Sequence, residues 1–171
     1  MLTIRCTRKL LKHLDLSPVK EPESSTGRLG DWYSNLVPTY AGELIVFASE
    51  RTLLTVAIPA WQAGTLDTLF RARVRNLLAM LGVSREAAEK ELSHYHEILY
   101  AKTANRSVLG SLNDIAFNYQ VIAEQSADSR TLSLSDTENR LSHMPSIARG
   151  FFPDKEARRL LELQSQSNGA S

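Results

Sequence analysis

Apolar residues recur along this chain with two different periods, and the switches between them mark out its elements. Residues 2–6, LTIRC, alternate apolar and polar and predict a short strand. Leu10, Leu11 and Leu14 follow at helical spacing, with Thr7 placed to cap the turn. Pro18, Pro22, Ser24, Ser25 and Gly27 interrupt any period, so residues 15–30 read as a loop. Asp31 precedes WYSNLV, which predicts a short helix capped by that aspartate and ended by Pro38. Over 42–58, GELIVFAS and TLLTVAIP are two β-rich runs joined through Glu50 and Arg51, the pattern of an antiparallel hairpin. Their nearly unbroken hydrophobicity predicts central strands covered on both faces.

Residues 65–82 carry the strongest helical stripe: Leu66, Leu69, Phe70, Val74, Leu77, Leu78 and Leu81. Thr65 and Asp67 suit its start and Gly82 its stop. A second helix is expected from Ser84 to about His94, then a strand over about 96–102 and a helix over about 111–125. Residues 126–146 are polar and predict an extended or mobile connector. Ile147, Phe151, Phe152, Leu160 and Leu161 restore apolar character, and Asp154 is placed to cap a last helix after Pro153, ahead of a frayed QSQSNGAS tail. The class is α+β. A compact domain over 1–125 has a mostly antiparallel sheet packed against helices on one side. An extended C-terminal connector and a terminal helix follow over 126–171, not an independent domain.

Composition narrows the options. With 43% hydrophobic and 23% charged residues in 171, the chain sustains a core, and global disorder is excluded. A net charge of +1 argues against a wholesale polyanion binder, although residues 1–20 set Arg5, Arg8, Lys9, Lys12 and Lys20 against Asp15 alone. One cysteine, Cys6, rules out an intrachain disulfide and fits a reducing compartment. No apolar run approaches membrane-spanning length and the start is not that of a signal peptide, so a cytoplasmic protein without membrane contact is expected.

The densest polar junction lies between apolar runs at 97–125. Lys102 and Arg106 supply charge there, Thr103, Asn105 and Ser107 supply hydrogen bonds, and Gly110 and Ser111 fall where a helix is expected to begin with free N–H groups. Those are the parts of a phosphate site. They are also the parts of a cap, because Ser111 and Asp114 have capping-box spacing and Asn105 or Asn113 suits a turn. Arg28, Asp31, Trp32, Tyr33 and Asn35 form a second cluster, suited either to clamping phosphate and stacking on a base or to anchoring a capped helix on the sheet. His94 and His96 would share a strand face, but no recognised metal-ligand spacing completes them, and neither metal nor cofactor is expected. Cys6 reads as core rather than nucleophile, and His13 and His143 have no nucleophile context.

The run K-T-x-N-R-S-V-L-G-S-x-N-D at 102–114, with MLTIRCTRKLLKHL at the start and RLGDWYSNL…FASERTLLTVAIPA in the middle, resembles the signature of a bacterial domain family of unknown function. The resemblance covers roughly residues 1–125. It implies a bacterial source and relatives on plasmids and other mobile elements, with no reaction or ligand attached.

Three functional readings stand. The first is a cytosolic binding module for a phosphate-bearing ligand such as RNA or DNA, with Lys102, Thr103, Asn105, Arg106, Ser107, Arg28 and Trp32 as contacts and Arg5, Lys9 and Arg51 in support. The second is a nuclease-like phosphoester enzyme in which Asp31 or Asp114 is the acid/base and Lys102 and Arg106 stabilise developing charge. In the third, residues 126–171 bind a protein partner around Phe151 and Phe152.

Overall fold

A computed structural model describes residues 1–126 and 133–162 of the chain. Its strands are β1 (Leu2–Cys6), β2 (Trp32–Thr39), β3 (Gly42–Ser49), β4 (Thr55–Pro59) and β5 (Ile98–Lys102). They form one sheet in the order β4-β3-β2-β1-β5. Both neighbours of β1 run parallel to it, while the longer β2–β3 and β3–β4 ladders are antiparallel. The helices are α1 (Arg8–His13), α2 (Leu66–Met80), α3 (Arg85–Leu92), α4 (Arg106–Gln125), α5 (Leu134–Ser142) and α6 (Pro153–Glu162), and 3-10 turns cover Ala60–Thr65 and Ser93–His96. The class is α+β, with a mixed sheet. No described helix is long and apolar enough to cross a membrane.

Helices cover both faces of the sheet, not one. Leu2, Ile4, Trp32, Phe47 and Ile58 pack against α1, α2, α3 and α6 through Leu10, Phe70, Val74, Leu77, Leu92 and Leu161. Tyr33, Val37, Leu44, Val46 and Ala57 point the other way, onto Val108, Leu112, Tyr119 and Leu141 of α4 and α5. The physical reason is visible in β2 and β3, which carry bulky apolar residues on alternating sides and so have no face fit for water. Local signals behave as the physics requires. Thr7 Oγ1 accepts from Leu10 N–H and caps α1, Ser84 caps α3 through Ala87 N–H, and Gly82 ends α2 in the left-handed conformation (φ 76°).

Three elements depart from the sequence reading. Residues 32–39 form strand β2, not a capped helix, because the segment has apolar side chains for both layers and pairs with β3 along its length and with β1 over Trp32–Ser34. Asp31 accordingly caps nothing: its carboxylate accepts from Arg5 Nε (2.6 Å) and Ser25 N–H (2.8 Å). Helix α4 starts at Arg106, earlier than Ser111, because Asn105 Oδ1 accepts from both Ser107 and Val108 N–H. Gly110 and Ser111 therefore lie inside the helix, where Ser111 Oγ donates to Ser107 O. Part of the expected connector is helix α5, capped by Ser133 and packed on β4 and α2 with Thr137, Glu138, Leu141 and Ser142 buried. Residues 127–132 of that connector and the QSQSNGAS tail lie outside the described residues. Asp154 is not an N-cap but sits buried in the first turn of α6, paired with Arg158.

Candidate anion-binding site

The parallel strands β1 and β5 end beside the predicted loop. Lys102 and Thr103 line a cavity of about 470 Å3 there, together with Arg5 and Lys20 and walls from Pro18 and Val19. Arg5 is not a free cation, because it forms the ion pair with Asp31 and its Nη1 also donates to Lys102 O (3.4 Å). Asn105 donates its N–H to Tyr33 Oη (3.1 Å) and spends its side chain capping α4. The cap consumes N–H groups that a phosphate would otherwise receive. Arg106 and Ser107 are exposed but lie outside the lining of this cavity, and the Arg106 side chain makes no hydrogen bond or ion pair among the described residues.

The second predicted cluster separates. Trp32 is completely buried, packs edge-on against Phe70 and donates Nε1–H to Tyr95 Oη (3.0 Å), so it offers no face to a base. The sequence predicts a helix over 32–37 capped by Asp31; on strand β2, Trp32 instead points into the core. Arg28 opens into a different cavity from Lys102. The two segments touch directly through Asn105 N–H and Tyr33 Oη, and Arg5 of β1 bridges Asp31 to Lys102 O, but Arg28 and Lys102 line different cavities. Neither proposed acid/base joins the cations of the 102–107 loop. Asp31 is held by Arg5 and Ser25, and Asp114 is exposed on α4 and lines a third cavity.

The Arg28 cavity, also about 470 Å3, is bounded by the 25–28 loop, Arg51, and Lys90, Glu91 and His94, with Leu161 closing one side. Glu91 organises it. Its buried carboxylate accepts from Arg28 N–H (2.7 Å), Leu29 N–H (3.1 Å) and Tyr95 Oη–H (3.1 Å). Burial and the Glu91 charge raise the Tyr95 pKa well above its usual value, so the phenol stays a donor. The loop must approach closely: a Cβ at Gly27 would lie 2.4 Å from Glu91 Oε1. Glu91 is the carboxylate of this lining, and among the described residues none of the cations around the cavity forms an ion pair with it or with any other carboxylate. Arg28 Nη1 donates to Leu160 O (3.1 Å) and Arg51 Nη1 to Arg28 O (3.3 Å), both backbone carbonyls. Lys90 has no ion pair among the described residues, and His94 Nδ1 shares a hydrogen bond with Thr26 Oγ1 (2.9 Å). Arg28 and Arg51 were visible as candidates in the sequence. Lys90 and Glu91 were not, because only the packing of α3 beside the loop brings them in.

The remaining candidates resolve simply. Burial pushes the Cys6 thiol up to about 12, which removes it as a nucleophile at neutral pH. His94 and His96 stand on a 3-10 turn instead of a strand, and His96 Nδ1 bonds Ser93 O. Among the described residues no group of three or more His, Cys, Asp or Glu is placed to hold a metal. Lys9 Nζ donates to Leu36 O within β2 and lines neither the Arg28 nor the Lys102 cavity.

No curated protein and no solved structure matches the chain. A family model does, over residues 3–156, reaching beyond residue 125 through α5 into α6. On that match the chain belongs to the family described as a domain of unknown function, DUF6933.

Proposed function

We propose that this protein is a binding module for a small phosphate-bearing ligand, taken up between Arg28, Arg51, Lys90 and His94. The observation that carries the reading is the convergence of three cations, Arg28, Arg51 and Lys90, on one concave site beside a single carboxylate, Glu91, which forms no ion pair with them among the described residues. Like charges held together repel, and a multiply charged anion relieves the repulsion. Two arginines suit it further, since a guanidinium fork donates parallel hydrogen bonds to phosphate oxygens. The supporting loop is fixed in advance by Glu91, which lowers the ordering cost of binding.

Concavity and the net charge of +1 favour a terminal phosphate or diphosphate over the interior of a nucleic-acid chain. RNA or DNA would then engage by an end. The phosphoester-enzyme reading draws less support, because Glu91, the one carboxylate lining the cavity among the described residues, is already bound by three donors.

Calorimetric titration tests the proposal with inorganic pyrophosphate and with 5′-phosphorylated and 5′-hydroxyl oligonucleotides. Pyrophosphate is expected to bind and the 5′-phosphate to be preferred. Arg51→Ala and Lys90→Ala should each weaken binding by roughly tenfold, the equivalent of about 1.4 kcal/mol, and flatten its salt dependence. Absence of binding, or binding that responds to Lys102→Ala and not to these variants, would overturn the assignment.

A further inference from the structure

A third cavity, about 410 Å3, opens where α4, the end of α5 and the 143–153 loop meet above the start of β4. Its walls are mostly apolar: Leu53, Ile115, Leu141, Met144, Ile147 and Pro153. Ile147 is 99% exposed and Met144 is partly exposed, so apolar surface stands at the mouth with nothing over it among the described residues. The loop carrying Ile147 is nevertheless a closed structure. Ser146 N–H donates to Phe151 O (2.8 Å), Gly150 N–H donates to Ser146 O (2.8 Å), and Gly150 takes a left-handed φ of 69° to allow the turn.

One stripe of α4 breaks the apolar lining. Ser111, Asp114 and Asn118 lie at helical spacing on the face that borders the cavity, flanking Ile115. A helix face turned toward an apolar cavity is normally apolar, and this one offers a hydroxyl, a carboxylate and an amide oxygen. Asp114 is the only charged side chain in the lining, and it makes no ion pair or hydrogen bond among the described residues. A largely apolar pocket with a few convergent polar groups is the usual form of a small-molecule site, and this volume lies within the usual range.

We propose that this cavity binds a small primary amine with an apolar tail. The ammonium has three donors and meets the Asp114 carboxylate with the Asn118 and Ser111 oxygens beside it. The tail lies along Ile115, Leu141 and Met144, where the unbranched thioether adapts to its shape. Charge complementarity selects the cation. Anions are repelled by Asp114, and a neutral tail of the same length gains only the apolar contacts. The site is separate from the Arg28 cavity, shares no lining residue with it, and selects the opposite charge.

Titration of the full chain with hexylamine, hexanol and hexanoate tests this, read by calorimetry near neutral pH. The amine is expected to bind most tightly and the carboxylate least. Asp114→Asn should weaken hexylamine by roughly threefold to tenfold, as for a partly solvated charge-assisted hydrogen bond, and leave hexanol unchanged. Asp114 is exposed on its helix, so the variant is expected to fold. Filling the mouth by Ala148→Trp should remove binding of both. Equal affinity for amine and alcohol, an Asp114→Asn titration identical to wild type, or binding of a lysine-rich peptide with no response to hexylamine would each overturn the proposal.

Discussion

Glu138 of α5 is inaccessible to solvent, yet it lies in a layer that otherwise buries Tyr119, Val46 and Ala57. Its Oε1 accepts from Ala57 N–H (2.9 Å) and from both Nε (2.9 Å) and Nη2 (2.6 Å) of Arg73, while Oε2 is buried with no partner among the described residues. Both arginine donors crowd one oxygen, which falls short of a fork-to-fork pair that satisfies two. Desolvation wins over the attraction of Arg73, and the carboxyl is pushed from 4.5 up to about 7. Between those values the native state holds a proton that the unfolded chain has released. The group's contribution to stability is therefore complete below about pH 4.5 and is lost as pH rises through about 7. At about 1.4 kcal/mol per pKa unit, the interval is worth on the order of 3 kcal/mol.

Urea melts of wild type and Glu138→Gln at pH 4.5, 5.5, 6.5 and 7.5 measure that contribution. All other side chains are common to the two proteins, so the difference between the two stability curves isolates Glu138. Wild type is expected to lose on the order of 3 kcal/mol relative to Glu138→Gln across the range. Parallel curves would show that the carboxyl titrates normally. A wild type that gained on the variant with rising pH would show that the Arg73 pair outweighs desolvation, and would refute the reasoning.

Leu77 is fully buried on the central stripe of α2, and Leu77→Ala should cost on the order of 2–5 kcal/mol in a denaturant melt. Cys6 should resist a disulfide-exchange reagent in the native protein and react at once in denaturant; rapid native labelling would contradict its burial and raised pKa. Gly27→Ala places a Cβ against Glu91 Oε1, so it should destabilise by roughly 1–3 kcal/mol as the carboxylate is driven from Arg28 and Leu29 N–H. The same variant should weaken pyrophosphate binding, and unchanged stability together with unchanged binding would show that Glu91 does not hold the loop.

How much was legible in the sequence depended on whether each element carried its own signal. Helix α2 and the β3–β4 hairpin did, because period and punctuation agreed there. Strand β2 did not: Asp31 before it and Pro38 near its end imitate helix punctuation, and strand pairing on both sides overrode that local cue. At α4 two caps competed, Asn105 and Ser111, and the earlier one set the start. Helix α5 was masked by its own polarity, since it buries Thr137, Glu138 and Ser142 beside Leu141. The cavities were beyond a linear reading. The Arg28 site joins residues 25–28, 51, 90–94 and 161, whose proximity exists only after α3 and α6 pack on the sheet.

The long loop between α1 and β2 connects these observations. Few loops of this length in a compact domain are passive, and this one is tied at several points by side chains. Ser25 Oγ accepts from Thr3 N–H, Thr3 Oγ1 donates to Glu23 O, Asp31 binds Ser25 N–H and Arg5, and Glu91 takes Arg28 and Leu29 N–H. Val19 pairs with Ala101 along the outer edge of β5 and, between two prolines, closes that edge against further strands. One stretch of the loop, Pro18–Pro22, thus walls the Lys102 cavity, and another, Ser25–Arg28, walls the Arg28 cavity. The difference between them is in the donors. On the first side Asp31 engages the one arginine, Arg5, and leaves the ammonium groups of Lys20 and Lys102; on the second the guanidinium groups of Arg28 and Arg51 bond only backbone carbonyls among the described residues and stand beside Lys90. Two guanidinium forks free of carboxylates match phosphate oxygens better than two ammonium groups, and that is why an anion is assigned to Arg28, Arg51 and Lys90 and not to the more conspicuous Lys102 loop.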